Sequence, residues 1–255
     1  MPLTLQTVAC LSDNYAFLIH DPASGATAVV DVPEIAPIEA ALATRGWTLT
    51  DIFITHHHND HIGGVPALRE TTGARVWGAA ADAHRLPPLD RVVNPGQDLD
   101  FAGEPVVVID VPGHTVGHIA YQLPQSGLVF TGDSLMALGC GRLFEGTAAQ
   151  MWTSLSALAA LPDDTTVCSG HEYTQANAKF ALSVDPDNPA LKKRAETVAR
   201  ARTDNRATVP SSLAEEKATN PFLRAADPAI RARLDMKNAT NSEVFAEIRR
   251  RKDSF

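Results

Sequence analysis

The sequence predicts an α/β protein: a four-layer αββα sandwich over residues 1–172, followed by a smaller all-helical domain over residues 173–255. Three observations carry that expectation. Up to Ser169, short apolar runs of strand length alternate with stretches of helical spacing, a pattern that packs well as two mixed sheets face to face with helices outside. Four of the strands, ending near residues 55, 111, 131 and 169, are each followed within a few residues by His or Asp, three of them beside a glycine that lets the backbone bend. A site at one sheet edge is therefore expected. Beyond Glu172 the signals are helical only, and the charge changes sign. Residues 1–189 hold 7 Lys+Arg against 21 Asp+Glu, a net of minus 14, whereas residues 190–255 hold 15 against 9, a net of plus 6.

The elements follow in order. Leu3 to Cys10, Tyr15 to His20 and Ala26 to Val32 read as strands separated by Ser12-Asp13-Asn14 and by Asp21 to Gly25, which is turn chemistry. From Pro37, Ile38, Ala41 and Leu42 recur at helical spacing, with the proline suited to a first turn and Gly46 to a stop. A strand at 51–55, a helix from Val65 to Thr72 and a strand from Arg75 to Gly78 come next, and residues 79–97, rich in breakers, give no clear element. Strands are expected at 98–102, 105–111, 119–123, 128–131 and 165–169, with a glycine-containing loop at 139–146 and an amphipathic helix from Ala148 to Leu161. In the tail, Asn188-Pro189 opens a helix to about Asn205. Ser212 with Glu215, and Thr240 with Glu243, are capping-box patterns, the second opening a helix to Lys252.

Composition bounds the function. The 255 residues are 44% hydrophobic, ordinary for a globular protein with a sizeable core. No run of about 18 apolar residues exists, and Met1 to Cys10 lacks the pattern of a signal peptide, so a soluble, cytoplasmic protein with no membrane partner is expected. Cys10, Cys140 and Cys168 are too few and too scattered for a disulfide framework and fit a reducing compartment. The strongly acidic first 189 residues would repel a polyanion, which argues against a nucleic-acid partner despite the basic tail.

The chemistry concentrates at Thr55-His56-His57-His58-Asn59-Asp60-His61, directly after a strand and before Gly63-Gly64. A histidine run can be a solvated tract or a tag, but tags sit at termini. If the chain stays extended, His56 and His58 point to one side and His57 to the other, because strand side chains alternate. Asp60 and His61 then lie where the chain turns and can face a neighbouring point. Two metal ions suit that arrangement better than one.

Taken with His114, Asp133 and His171, the pattern His56-x-His58-x-Asp60-His61 resembles the metallo-β-lactamase superfamily over roughly residues 3–175. The resemblance implies that His56, His58 and His114 hold one ion, that Asp60, His61 and His171 hold a second, and that Asp133 bridges them. His20, His84 and His118 match no ligand position. A narrower set, Gly139-Cys140-Gly141-Arg142-Leu143-Phe144-Glu145-Gly146-Thr147, His171-Glu172-Tyr173-Thr174, Asn220 to Arg224 and Arg249 to Asp253, is similar to glyoxalase II, the hydroxyacylglutathione hydrolases. That likeness includes the helical tail and implies Arg142, Phe144, Tyr173, Arg249 and Lys252 as the glutathione-binding group. Two departures stand out: the family often has lysine at position 142 and tyrosine at 144. Arg142 keeps the charge, whereas Phe144 lacks the hydroxyl and its hydrogen bond.

The resemblance implies hydrolysis of S-(2-hydroxyacyl)glutathione thioesters, such as S-D-lactoylglutathione, to glutathione and D-lactate, the second step of methylglyoxal detoxification, with two divalent ions; a monomer is expected. All seven donors are imidazole or carboxylate, which suits zinc first, with iron or manganese as the other candidates. A water shared by two such ions has its pKa lowered to about 7, so hydroxide bridging the metals is expected at neutral pH. A thiol of pKa about 8.5 leaves without a general acid. Asp60 and Asp133 are the expected catalytic carboxylates. The alternatives from other classes are a glutathione persulfide dioxygenase with a single iron, a metal-dependent phosphodiesterase or nuclease, and a non-catalytic metal-binding module. Against the last, a structural zinc site is closed by four ligands and needs no bridge.

Overall fold

The N-terminal alternation folds as a meander in which β1 (Thr4–Cys10), β2 (Asn14–His20) and β3 (Thr27–Val30) pair antiparallel. Helix α1 (Ala36–Arg45) has proline in its first turn and stops at Gly46, whose φ of 66° is the left-handed conformation glycine adopts without strain. It carries the chain back so that β4 (Asp51–Phe53) lies parallel to β3, as a helical crossover permits. After α2 (Asn59–Ile62) and α3 (Val65–Thr72), β5 (Arg75–Ala79) and β6 (Arg91–Val93) extend the sheet in parallel, giving a mixed six-stranded sheet in the order β1-β2-β3-β4-β5-β6. Strand β6 falls in the breaker-rich segment, residues 79–97, where no element is legible from the sequence. Strands β7 (Leu99–Phe101), β8 (Glu104–Asp110), β9 (Ile119–Leu123) and β10 (Leu128–Gly132) form an antiparallel meander.

The computed structural model describes residues 3–255, which cluster as two units: residues 3–110 with Gly117–Gly132, and Val111–Val116 with Asp133–Phe255. Within the first unit the period-two alternation of each strand decides which layer its side chains enter. Leu18, Val29, Ile52, Ile54 and Val76 pack with Ile38 and Leu42 of α1 and Val65 and Leu68 of α3. The oppositely directed Phe17 and Phe53 meet Phe130, Tyr121 and Phe101 of the second sheet, with ring centroids 5.7, 5.1 and 5.6 Å apart. One layer of helices on a sheet, and that sheet on another, is the expected stacking.

The second unit begins with a small hairpin of β11 (Leu135–Met136) and β12 (Gly139–Cys140), then α4 (Ala148–Ala159), opened by a Thr147–Gln150 capping box, and β13 (Thr166–Ser169). The tail consists of α5 (Thr174–Val184), α6 (Pro189–Thr203) capped by Asn188, β14 (Ser211–Ser212), α7 (Leu213–Thr219), α8 (Pro228–Arg233) and α9 (Asn241–Asp253). The Thr240–Glu243 capping box at α9 is present in full. One departure from a helices-only tail is β14, which pairs antiparallel with β13 through Thr166↔Ser212 and Val167↔Ser211. Buried Glu216 ties the tail to the hairpin: it accepts from Leu138 N at 2.9 Å, Ser211 Oγ at 2.6 Å and Asn220 Nδ2 at 3.1 Å, and pairs with the Arg194 guanidinium. A buried carboxylate is tolerated only when its lone pairs are so engaged. Among the described residues, no helix is long and apolar enough to cross a membrane.

Candidate metal centre

In the first unit the chain stays extended beyond β4 as far as His58 (φ −62°, ψ 141°) and then turns into α2. Alternation sets His56 and His58 on one side with ring centroids 4.8 Å apart, and the helical turn returns His61 to within 4.2 Å of His56. His57 faces the other way, 3.0 Å from buried Asp82, which also accepts from Arg85 Nε at 2.6 Å. His118, outside the expected ligand set, stacks on His56 with centroids 4.5 Å apart and its Nδ1 3.1 Å from the Ile119 carbonyl.

Asp31, just past β3, organises this group. Its backbone is left-handed (φ 58°), a conformation Asp tolerates better than most residues. Its carboxylate accepts from Thr55 N at 2.9 Å and Thr55 Oγ1 at 2.8 Å, and lies 2.8 Å from His61 Nδ1. Because the Thr55 hydroxyl gives its proton to Asp31, its oxygen is an acceptor for His56 Nδ1 at 3.0 Å. One carboxylate thus accepts from Nδ1–H of His61 directly and steadies Nδ1–H of His56 through a hydroxyl, leaving both Nε2 atoms as lone-pair donors. Gly132 (φ 45°) permits the close approach: a Cβ there would lie 2.6 Å from Thr55 Oγ1. Asn14 donates to the Asp60 carbonyl at 3.0 Å and to its carboxylate at 3.1 Å. Buried Tyr121 donates to the Ile54 carbonyl, and burial, reinforced by the Asp31 charge, raises its phenol far above the ordinary range.

In the second unit Asp133 Oδ2 lies 3.4 Å from His114 Nε2 and 3.3 Å from His171 Nε2. His114 Nδ1 donates to the Arg142 carbonyl at 2.8 Å, so its Nε2 turns a lone pair toward a carboxylate. Electron-rich atoms that face one another at that distance suit a cation held between them. Tyr173 stacks on His171 (4.7 Å, 6°) and Phe144 packs edgewise on His114 (5.2 Å). Cys168, in β13, is buried with its thiol pushed far up by desolvation, and it belongs to none of the groups able to hold a metal ion among the described residues.

The residues expected at glutathione divide by exposure. Arg142 is 66% exposed, with Nε 4.0 Å from Asp253, and Phe144 and Tyr173 are exposed at 63% and 40%. Lys252 reaches the Ala176 carbonyl at 3.4 Å and lies over the Phe180 and Phe255 rings. Desolvation, then the Arg249 and Arg142 charges, lower its ammonium from its ordinary range against an opposing pull from Asp253. Arg249 is only 4% exposed, with both terminal nitrogens spent inside the protein, on the Cys140 carbonyl (2.9 Å) and on Asp253 (2.8 Å).

The sequence does not single out Asp31, Thr55 or Asn14. The signal was present, since Asp31 repeats the rule of an acid or histidine directly after a strand. Among the described residues, the groups of His and Asp able to hold a metal ion draw on the seven expected donors and no others. Their imidazole and carboxylate chemistry fits divalent cations.

Comparison with known proteins agrees. Residues 12–171 match the metallo-beta-lactamase superfamily and residues 172–255 the hydroxyacylglutathione hydrolase C-terminus. The hydroxyacylglutathione hydrolases of Cereibacter sphaeroides and Ruegeria pomeroyi are each 64% identical over 255 residues, covering 100% of both chains. The crystal structure of ETHE1 from Myxococcus xanthus superimposes with a TM-score of 0.69 at 29% identity, covering 98% of this chain and 90% of that one. The chain belongs to the metallo-β-lactamase superfamily and, within it, to the hydroxyacylglutathione hydrolase family. The expected α/β class, with a helical C-terminal region, stands.

Proposed function

We infer that this protein hydrolyses S-(2-hydroxyacyl)glutathione thioesters such as S-D-lactoylglutathione, releasing glutathione and a 2-hydroxy acid, D-lactate for that substrate. The observation that carries the reading is full-length identity of 64% to named hydroxyacylglutathione hydrolases in a chain whose metal-capable groups draw on the seven expected donors. In this reading His56, His58 and His114 would hold one ion, Asp60, His61 and His171 would hold the other, and Asp133 would serve both. Zinc is the first candidate, with iron or manganese also compatible with the donors.

A pair of divalent ions would supply, when bound, Lewis acidity toward the thioester carbonyl and a nucleophile at neutral pH, since coordination lowers the pKa of water to about 7. The chain's own residues do the rest. Asp60, steadied by Asn14, orients the attacking oxygen. No side chain donates a proton to the leaving sulfur, because a thiol of pKa about 8.5 departs as thiolate. Arg142 and Lys252 face the carboxylates of glutathione, with the Arg249 charge behind them, and a guanidinium can grip a carboxylate through two parallel hydrogen bonds. Tyr173 and Phe144 shield the imidazoles of His171 and His114 and line the approach.

The substrate partner is thus a small glutathione thioester, with neither nucleic acid nor membrane involved, and the working unit is a monomer. The cytoplasm is the expected location, consistent with three free, buried cysteines. The test follows metal-loaded protein against S-lactoylglutathione, an acetyl-CoA thioester, a β-lactam and bis(p-nitrophenyl) phosphate. Rapid loss of the first alone is the expected result. Equal cleavage of all four, or of none, removes the assignment.

A further inference from the structure

The two cations expected at glutathione on α9, Arg249 and Lys252, each lie on an aromatic ring. The Arg249 guanidinium is 5.2 Å from the centre of the Phe222 ring, and the Lys252 ammonium is 5.3 Å from that of Phe180 and 5.5 Å from that of Phe255. The rings form one row: Phe245 meets Phe222 edgewise at 5.8 Å, Phe222 stacks on Phe180 at 5.9 Å, and Phe180 meets Phe255 at 5.4 Å and 72°. Phe245, Phe222 and Phe180 are buried and belong to the core, whereas Phe255 is 67% exposed.

An exposed apolar residue is ordinary by itself; what sets Phe255 apart is where its ring is held. Past the end of α9 the chain closes with i→i+3 bonds, from Ser254 N to the Arg251 carbonyl at 3.2 Å and from Phe255 N to the Lys252 carbonyl at 3.3 Å. That tighter turn brings residue 255 round beside residue 252. The Phe180 and Phe255 planes then make an open corner with the ammonium over both faces. Each face carries the negative part of the ring quadrupole and attracts the cation.

The two cations differ in what else fixes them. Arg249 is gripped by the Cys140 carbonyl and Asp253 at 2.9 and 2.8 Å, but the hydrogen bond from Lys252 to the Ala176 carbonyl is long, at 3.4 Å. Desolvation and then the Arg249 and Arg142 charges disfavour the Lys252 ammonium, against the pull of Asp253. A lysine stem is flexible, and stilling it is costly in entropy. A corner that fixes it beforehand leaves less of that cost to be met when an anion arrives.

We propose that Phe255 is a positioning residue: with Phe180 it forms an aromatic corner that holds the Lys252 ammonium in place for a glutathione carboxylate. The inference rests on Lys252 being a contact to glutathione, as in the functional reading above, and deepens it by naming what gives that cation a fixed place. Phe255 therefore acts on substrate affinity through Lys252 and leaves the hydrolytic step alone.

The experiment compares Phe255→Leu, Phe255→Tyr, Lys252→Ala and the double variant Phe255→Leu/Lys252→Ala with the parent protein. Metal-loaded samples are assayed for kcat and KM on S-lactoylglutathione, and calorimetry measures the affinity of S-methylglutathione, which is not hydrolysed. Phe255→Leu keeps an apolar side chain without the ring face. It should raise KM about two- to fivefold, the range an exposed cation–π contact supports, weaken S-methylglutathione equally and leave kcat unmoved. Phe255→Tyr, which keeps the face, should restore parental values. In the Lys252→Ala background Phe255→Leu should add nothing, because its effect passes through the lysine. A second readout needs no glutathione: in protein carrying carbon-13 lysine, the ε-methylene protons of Lys252 should resonate upfield of the other lysines and return toward them in Phe255→Leu. An unchanged KM in Phe255→Leu, the same rise with or without Lys252, or ordinary Lys252 resonances in the parent would each overturn the proposal. A parent that neither hydrolyses S-lactoylglutathione nor binds S-methylglutathione, yet shows the shifted Lys252 resonances, would instead overturn the functional reading on which the corner's task rests.

Discussion

The two donor sets are steadied by different means. In the first unit His61 and His56 lean on a side chain, the Asp31 carboxylate, directly or through Thr55. In the second, His114 leans on a main-chain carbonyl, that of Arg142, whose place depends on the path of a loop. A carboxylate partner adds charge and raises the basicity of the imidazole, whereas a carbonyl adds only direction. The first set can therefore be disturbed by one side chain without moving the backbone. The second is disturbed by anything that shifts residues 140–142.

The largest expected effect removes the acid shared by His114 and His171. Asp133→Ala should cut kcat on the order of a thousandfold, about 4 kcal/mol of transition-state stabilisation, and elemental analysis should find metal lost with it. Retained metal with near-normal turnover would break the comparison at its root.

Gly141→Ala tests the loop-held side. A methyl group 1.9 Å from the Asp133 carbonyl cannot be accommodated without moving the chain, so about 3 kcal/mol of stability should be lost, the upper end for overpacking. Thermal unfolding of the apo protein measures it, and chelator should strip the ion assigned to His114 first. Unchanged unfolding would mean that the loop is not pinned there. Asp31→Asn tests the side-chain-held set: its backbone can keep the same conformation, and roughly 10- to 100-fold weaker metal binding at the ion assigned to His61 is expected from chelator competition. Should Asp31→Asn and Gly141→Ala weaken the same ion, the two sets are not independently supported. Phe144→Tyr gives the smallest change. A restored hydroxyl should lower KM for S-lactoylglutathione about fivefold, roughly 1 kcal/mol, with kcat unmoved. A KM that stays put would say that position 144 only shields His114.

Most of this arrangement is legible in the sequence, and the exceptions share a cause. The helix at 36–45 announced itself through Pro37 and Gly46, and the donors through their place after strand ends. Those signals are local. What the chain did not reveal were strands of two or three residues, β6, β11, β12 and β14, which are too short for periodicity and exist because of a partner elsewhere, as Ser212 does opposite Thr166. Helix α5 also escaped, following directly on the expected boundary after Glu172. The supports of the candidate site were invisible for the same reason. Asp31 is 24 residues from Thr55 and 30 from His61, and Arg249 is 109 from Cys140, so nothing in a short window ties them together. In sequence Arg249 is one of three consecutive arginines in a basic run, and only burial distinguishes it from Arg250 and Arg251.

The three cysteines offer a means of watching the molecule breathe. Cys10 lies in β1 of the first unit, Cys140 and Cys168 in the second, and all are shielded from solvent with thiols that resist ionisation at neutral pH. An alkylating reagent can therefore modify each only when its surroundings open, and the rate at each thiol becomes a clock for that opening. Mass-resolved labelling would rank the edge of the N-terminal meander, the hairpin under α9 and the strand before His171 by how readily each yields, without adding a foreign probe.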